Sequence, residues 1–245
     1  MQFNVISVFG FTVFSDRLSK IQLTNKCQLC NTISPNSYGI STKDPFFRDS
    51  LKNSDILVLD GVYFALSSIL LQGKNIQRNQ GPDVFSHFME RINQHHGKVF
   101  FLGASTQTLE KIQTRAKIDY PNLTVGVYSP PFKEEFSEQD NKKMVENVNS
   151  FKPDVLFVGM TCPKQEKWSY QHKELLDTGL ICSIGAVFDW YAGNYKEIRQ
   201  IWWKLRLGWL IRAIQRPAVL SRNLPNYYIF FKDLILVILH IKKIK

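Results

Sequence analysis

Asp154-Val155-Leu156-Phe157-Val158-Gly159-Met160-Thr161-Cys162-Pro163-Lys164-Gln165-Glu166-Lys167-Trp168 decides the fold. Residues 155–158 are an apolar run of the length of a buried strand. Gly159 follows at once. Pro163 suits the first position of a helix, where its missing N–H costs nothing. Strand, glycine turn and helix in so few residues make one βα unit, and the unit recurs. Residues 56–59, 99–102, 123–127 and 180–184 read as further short buried strands. Residues 82–95, 105–119, 137–151 and 163–177 read as the amphipathic helices between them. Such alternation predicts an α/β fold, a mostly parallel sheet with helices on both faces. The regular pattern begins at Tyr38, and the first thirty-five residues carry only weak strand signals.

A parallel sheet binds its ligands beyond the carboxyl ends of its strands. Attention therefore falls on Asp60-Gly61, Gly103-Ala104-Ser105, Gly159-Met160-Thr161 and Gly185-Ala186-Val187. Glycine there lets backbone approach a ligand, but an ordinary strand-to-helix turn asks for it as well.

Charge divides the chain unevenly. The net charge is +10, yet residues 196–245 hold eleven Lys and Arg against two acids, Glu197 and Asp233. That last fifth is also aromatic, with Trp202, Trp203, Trp209, Tyr227, Tyr228, Phe230 and Phe231. A local basic excess calls for an anionic partner: a phosphate, a lipid surface or a nucleic acid. We place a boundary near Gly193, giving a main domain over 1–193 and a helical basic appendage over 194–245. No apolar stretch reaches the length of a membrane span, and the N-terminus does not read as a signal peptide. Reduced thiols are expected for the four cysteines. Cys27-x-x-Cys30 lacks the second pair or matched histidines that a metal or redox site needs.

Asp60, at the mouth of the sheet, is costly to bury unless paired or used. It reads either as a general base or as a helix N-cap. Thr42 and Asp44 read as a site pair or as a capping group. Arg78, in a linker, is suited to phosphate by its planar fork. Lys164 and Gln165 open a helix whose N-terminus favours a diphosphate. Asp189 follows the Gly185 turn. Neither a phosphate-binding lysine loop, a G-x-G-x-x-G fingerprint nor a D-x-D pair is present.

These residues together resemble the WecG/TagA/CpsF family of glycosyltransferases. The resemblance is carried by 154–168 with its Pro163-Lys164-Gln165-Glu166, by Leu59-Asp60-Gly61, by Arg78 with Gly81-Pro82-Asp83, and by 183–189 with Gly193. Trp209-Leu210-Ile211-Arg212, Pro217 and Arg222 complete it. The chain departs from the family pattern at Asp44, Tyr63, Gly208 and Val219, and it lacks the Arg-Ala-Pro expected after Gly193. The resemblance implies a Rossmann-like domain. It also implies inverting, metal-independent transfer, without a cofactor, from a UDP-sugar to an undecaprenyl-diphosphate-linked saccharide, in the building of a bacterial surface polysaccharide. By position, Asp60 would be the general base. Thr42 and Asp44 would lie at the family's Thr-x-Asn site near the reacting sugars, and Arg78 would bind phosphate or acceptor. Gln165 and Asp189 would line the donor pocket, and Arg212 and Arg222 would stabilise the leaving diphosphate. The appendage would place the enzyme peripherally on an anionic membrane surface at the cytoplasmic face. The rival from another class is a nucleic-acid-binding protein using the basic aromatic stretch; a nucleotide-dependent oxidoreductase would need the missing glycine fingerprint.

Overall fold

The computed structural model describes residues 3–24, 26–77, 79–195 and 217–243. A hairpin of Val5–Val8 (β1) and Phe11–Phe14 (β2) precedes a sheet of six parallel strands. The strands are Gln28–Ile33 (β3), Ile56–Leu59 (β4), Lys98–Gly103 (β5), Thr124–Tyr128 (β6), Val155–Gly159 (β7) and Leu180–Ser183 (β8). Their spatial order is β4-β3-β8-β7-β5-β6. Between them run Pro35–Ser41 (α1), Pro45–Lys52 (α2), Val62–Gln72 (α3), Gly81–Gln94 (α4), Thr106–Asp119 (α5), Glu138–Phe151 (α6), Lys164–His172 (α7) and Gly185–Tyr191 (α8). Pro217–Ile238 (α9) is the last described helix.

Strand side chains alternate between two faces, and both faces are covered. Val99 and Phe101 of β5 join one apolar cluster with Phe85 and Phe88 of α4, Ile112 of α5 and Phe188 of α8. Phe100 and Leu102 join another with Met144 and Val148 of α6 and Trp168 of α7. The parallel sheet clothed by helices on both faces is therefore as expected.

The sequence reading missed β3, which lies inside the sheet, one strand in from its edge, between β4 and β8. Its residues Gln28, Asn31 and Thr32 hide an interior strand. Asn31 is fully buried because its amide donates to Ser50 O (3.2 Å) and Ser54 Oγ (2.9 Å) at the end of α2. Cys30 lies in β3 opposite Cys182 of β8, both fully buried, while Cys27 precedes the strand.

The boundary near Gly193 falls just ahead of residues 196–216, which lie outside the described residues. Beyond them α9 packs into the third cluster, where Phe230 and Leu234 join Val8, Phe9, Tyr38 and Phe64. Gly39 of α1 allows the closest approach: a Cβ there would stand 2.5 Å from the Asn226 Cα. Two polar contacts secure the pair. Tyr38 donates to Asp233 Oδ2 (2.7 Å), and Asn226 Nδ2 donates to Asn36 Oδ1 (3.0 Å). Lys242 neutralises Asp233 at 2.6 Å. Among the described residues no helix is long and apolar enough to cross a membrane.

Candidate active site

The carboxyl ends of the six strands open into a cleft of ≈ 2670 Å³. A single small ligand occupies about 300–1,000 Å³, so two substrates fit side by side. Helix N-termini, those of α3, α5 and α7 among them, reach its wall through Gly61, Ser105 and Lys164. The partial positive charge of helix N-termini makes it favourable to anions.

Asp60 lines this cleft directly after β4, and its backbone N–H donates to Ile33 O at 2.8 Å. Ser34 and Asn36, which follow β3, line the same cleft. The N-cap reading of Asp60 does not hold. Gly61, at φ 93°, is the N-cap of α3, and no side chain caps that helix. A β-carbon would be strained in that backbone, so the glycine after Asp60 is required by the turn. Opposite, α9 supplies Arg222, Asn223 and Tyr227 to the cleft. Burial raises the Tyr227 phenol above its ordinary range, and the neighbouring Asp60 charge adds to that rise. The carboxyl end of β4 and helix α9 thus line one cleft.

Thr42 and Asp44 do not line the cleft. Thr42 ends α1 with its hydroxyl on Gly39 O (2.8 Å). Asp44 caps α2 by accepting from Phe47 N (2.9 Å) and pairs with Lys167 Nζ (3.0 Å). Both stand one helix beyond the strand end, where Ser34 and Asn36 sit instead. A hydroxyl, one residue and a carboxamide at a strand end was the available signal, concealed because β3 was not recognised. Arg78 and Arg212 lie outside the described residues. Arg222 is exposed on α9, within electrostatic reach of the Cys162 thiol.

Gln165 lies in the cleft wall, but its amide is engaged by the protein. Oε1 accepts from Met160 N (3.2 Å) and Gly185 N (3.0 Å), so it ties the turn after β7 to the start of α8. Nε2 donates to Glu166 Oε1 (2.9 Å). Asp189 Oδ1 accepts from Asn194 Nδ2 (3.0 Å) and lines the cleft too. Among the described residues no cluster of three His, Cys, Asp or Glu side chains could hold a metal.

Glu166 was not singled out by the sequence. It is buried to 2% exposure, and its Oε2 has no hydrogen-bond partner among the described residues. Burial pushes its carboxyl up to about 7, against the opposing pull of the Gln165 amide, its own backbone and the Cys162 thiol. Linkage then fixes a sign. The folded protein holds this proton above pH 4.5, where an unfolded glutamate releases it, so the contribution to stability is whole below that value and is lost as pH rises through about 7. Glu166→Gln removes this loss. The melting temperature of the variant, relative to that of the native protein, is expected to climb between about pH 5 and about pH 8. A constant difference across that range would show that Glu166 does not titrate as its burial requires.

Comparison with known proteins adds the chemistry. The sequence model of the glycosyl transferase WecG/TagA/CpsF family matches residues 5–243. The chain is 26% identical over 221 residues to an N-acetylglucosaminyldiphosphoundecaprenol N-acetyl-beta-D-mannosaminyltransferase of Bacillus subtilis strain 168, covering 89% of this chain and 84% of that protein. A protein of the same name from Bacillus spizizenii is 26% identical over 206 residues, 83% of this chain and 78% of that one. Another, from Staphylococcus aureus strain NCTC 8325, is 26% identical over 183 residues, 75% and 70% of the two chains.

Proposed function

Because the chain belongs to the WecG/TagA/CpsF family of glycosyl transferases, we propose that it moves a sugar from a UDP-linked donor to a saccharide carried on undecaprenyl diphosphate. The polymer being built is a bacterial surface polysaccharide. The observation that carries this reading is Asp60, held at the cleft end of β4 across from Arg222 and Tyr227 of α9.

The reaction needs one base and one stabilised leaving group. Asp60 takes the proton of the acceptor hydroxyl as its oxygen bonds to the anomeric carbon of the donor sugar. The bond from that carbon to the diphosphate breaks on the opposite side, so configuration inverts, and UDP leaves with the electron pair. Arg222, with Arg78 and Arg212, meets the negative charge through charge-assisted hydrogen bonds, and the helix N-termini of the cleft add to them. Ser34 and Asn36 take the place of Thr42 and Asp44 beside the reacting sugars. Gln165 acts as a positioning residue that keeps the turns after β7 and β8 together, and Asp189 lines the donor side. Residues 194–245 bring the enzyme to the anionic cytoplasmic face of the membrane, where its acceptor resides. The nucleic-acid alternative leaves the Asp60 cleft without a use.

A donor screen against a synthetic polyprenyl-diphosphate N-acetylglucosamine, read by mass, tests the reaction. The expected product is heavier by one transferred N-acetylhexosamine and forms only with a UDP-linked donor. EDTA is expected to leave the rate essentially unchanged; a strict divalent-ion requirement would overturn the arginine-based account of the leaving group.

A further inference from the structure

Helix α3 is apolar on two faces: Phe64 and Ala65 are buried in the core, and a second apolar set points outward. Amphipathic helices turn apolar residues to the core and polar ones to water. In α3, Ser67 and Ser68 are fully buried, while Leu66, Ile69 and Leu70 are 44%, 43% and 55% exposed. The serines are accommodated because Ser67 Oγ donates to Phe64 O (2.6 Å) and Ser68 Oγ to Lys74 O (2.9 Å). Nothing in the folding of the chain calls for the outward leucines.

Helix α9 repeats the pattern beside it. Leu224, Tyr228, Phe231, Ile235 and Ile238 are all exposed and follow one another at steps of four and three residues, a single helical stripe. The two stripes are neighbours. Tyr63 meets Phe231 edge-on at 5.4 Å near the start of α3. At its other end, Leu70 and Leu71 share with Val237 and Ile238 a separate pocket of ≈ 420 Å³. The helices therefore run side by side in one direction over the length of α3, about 16 Å, with an apolar cavity at each end of their junction. The upper one is the active-site cleft, which Leu66, Ile69 and Phe231 also line. The lower one is the small pocket. Exposed apolar patches of this extent mark an interaction site.

We propose that the groove between α3 and α9 holds the isoprenoid chain of the acceptor lipid, starting at the cleft beside Asp60 and ending in the Leu70–Ile238 pocket. The inference rests on the proposed lipid-linked acceptor. A chain fits the observations better than a flat bilayer surface, because the feature is linear, opens into the cleft and terminates in a pocket. It assigns the outward face of α3, a helix of the main domain, to the lipid part of the acceptor.

The test uses the full chain and soluble prenyl phosphates below their micelle threshold, in buffer without detergent or vesicles, followed by calorimetry. Farnesyl phosphate is expected to bind at least about tenfold more tightly than isopentenyl phosphate, from the extra apolar carbons buried. The double variant Leu70→Glu, Ile235→Glu is expected to reduce that preference to about twofold or less. Both side chains are exposed, so the fold tolerates the change, and an unaltered affinity for UDP verifies it. Equal affinity for the two phosphates, or a preference that survives both glutamates, overturns the proposal. Binding to phosphatidylglycerol vesicles without a farnesyl preference assigns the face to the bilayer instead, and self-association removed by the glutamates assigns it to a second copy; either result overturns the groove. UDP binding is read separately, so its absence with a farnesyl preference intact sinks the transferase reading and not the groove.

Discussion

Asp60→Asn is expected to lower turnover about 10²–10⁴-fold, the range that a positioned general base contributes, with little change in donor affinity. Asparagine has nearly the same shape, and the backbone bond from residue 60 to Ile33 O is retained, so the strand end keeps its form. What is lost is a group able to accept a proton from the acceptor hydroxyl. The loss therefore belongs in kcat, because the base acts in the transition state and adds little to ground-state binding. Steady-state kinetics with saturating UDP-sugar would measure it, and a circular dichroism melt would check the fold. Turnover within a few-fold of the native enzyme would remove Asp60 from the role, and the nearby hydroxyl of Ser34 has no comparable basicity to replace it.

The sheet was legible where its strands are wholly apolar. Residues 56–59, 155–158 and 180–184 announce themselves because both their faces are buried. β3 is also an interior strand, but it carries polar residues, and the Asn31 amide nitrogen is bonded by the end of α2, a partner that becomes visible only after folding. With β3 unrecognised, the Thr-x-Asn expectation fell on Thr42 and Asp44, which cap and close helices outside the cleft, whereas Ser34 and Asn36 at the strand end line it. Asp60, Asp189 and Gln165 were placed in the cleft because strand-end positions follow from sheet topology alone. The engagement of the Gln165 amide was not readable, since its partners Met160 and Gly185 belong to two different turns. The second apolar face of α3 was equally hidden: Phe64 and Ala65 face the core while Leu66, Ile69 and Leu70 face outward, and only the neighbours decide which apolar residues are covered. The basic, aromatic character of the C-terminus was plain, but its aromatics divide between uses. Phe230 is core, whereas Tyr228 and Phe231 are surface.

That division leads to the second large effect. Phe230→Ala is expected to cost about 3–5 kcal/mol, the usual penalty for emptying a buried aromatic site. The ring is fully buried and touches Phe9 (5.2 Å between centroids), Tyr38 (5.8 Å) and Phe64 (5.5 Å, stacked). These come from the hairpin turn, α1 and α3, so one side chain joins three elements to α9. The site cannot collapse to fill the gap, because Gly39 already brings α1 against Asn226 as closely as backbone allows. For a chain of this size the loss corresponds to a melting temperature lower by about 6–20 °C. Activity should fall further than global stability requires. α9 brings Arg222 and Tyr227 to the cleft and forms half of the apolar groove, so partial undocking empties one wall of the site while the parallel sheet persists. Limited proteolysis is then expected to cut within α9 before any other described element, and Phe230→Leu, which restores much of the volume, to recover most of both losses. A Phe230→Ala protein that melts within about 2 °C of the native one would mean that α9 is held by its polar contacts, Tyr38 to Asp233 and Asn226 to Asn36, and that the aromatic cluster contributes little to closing the active site.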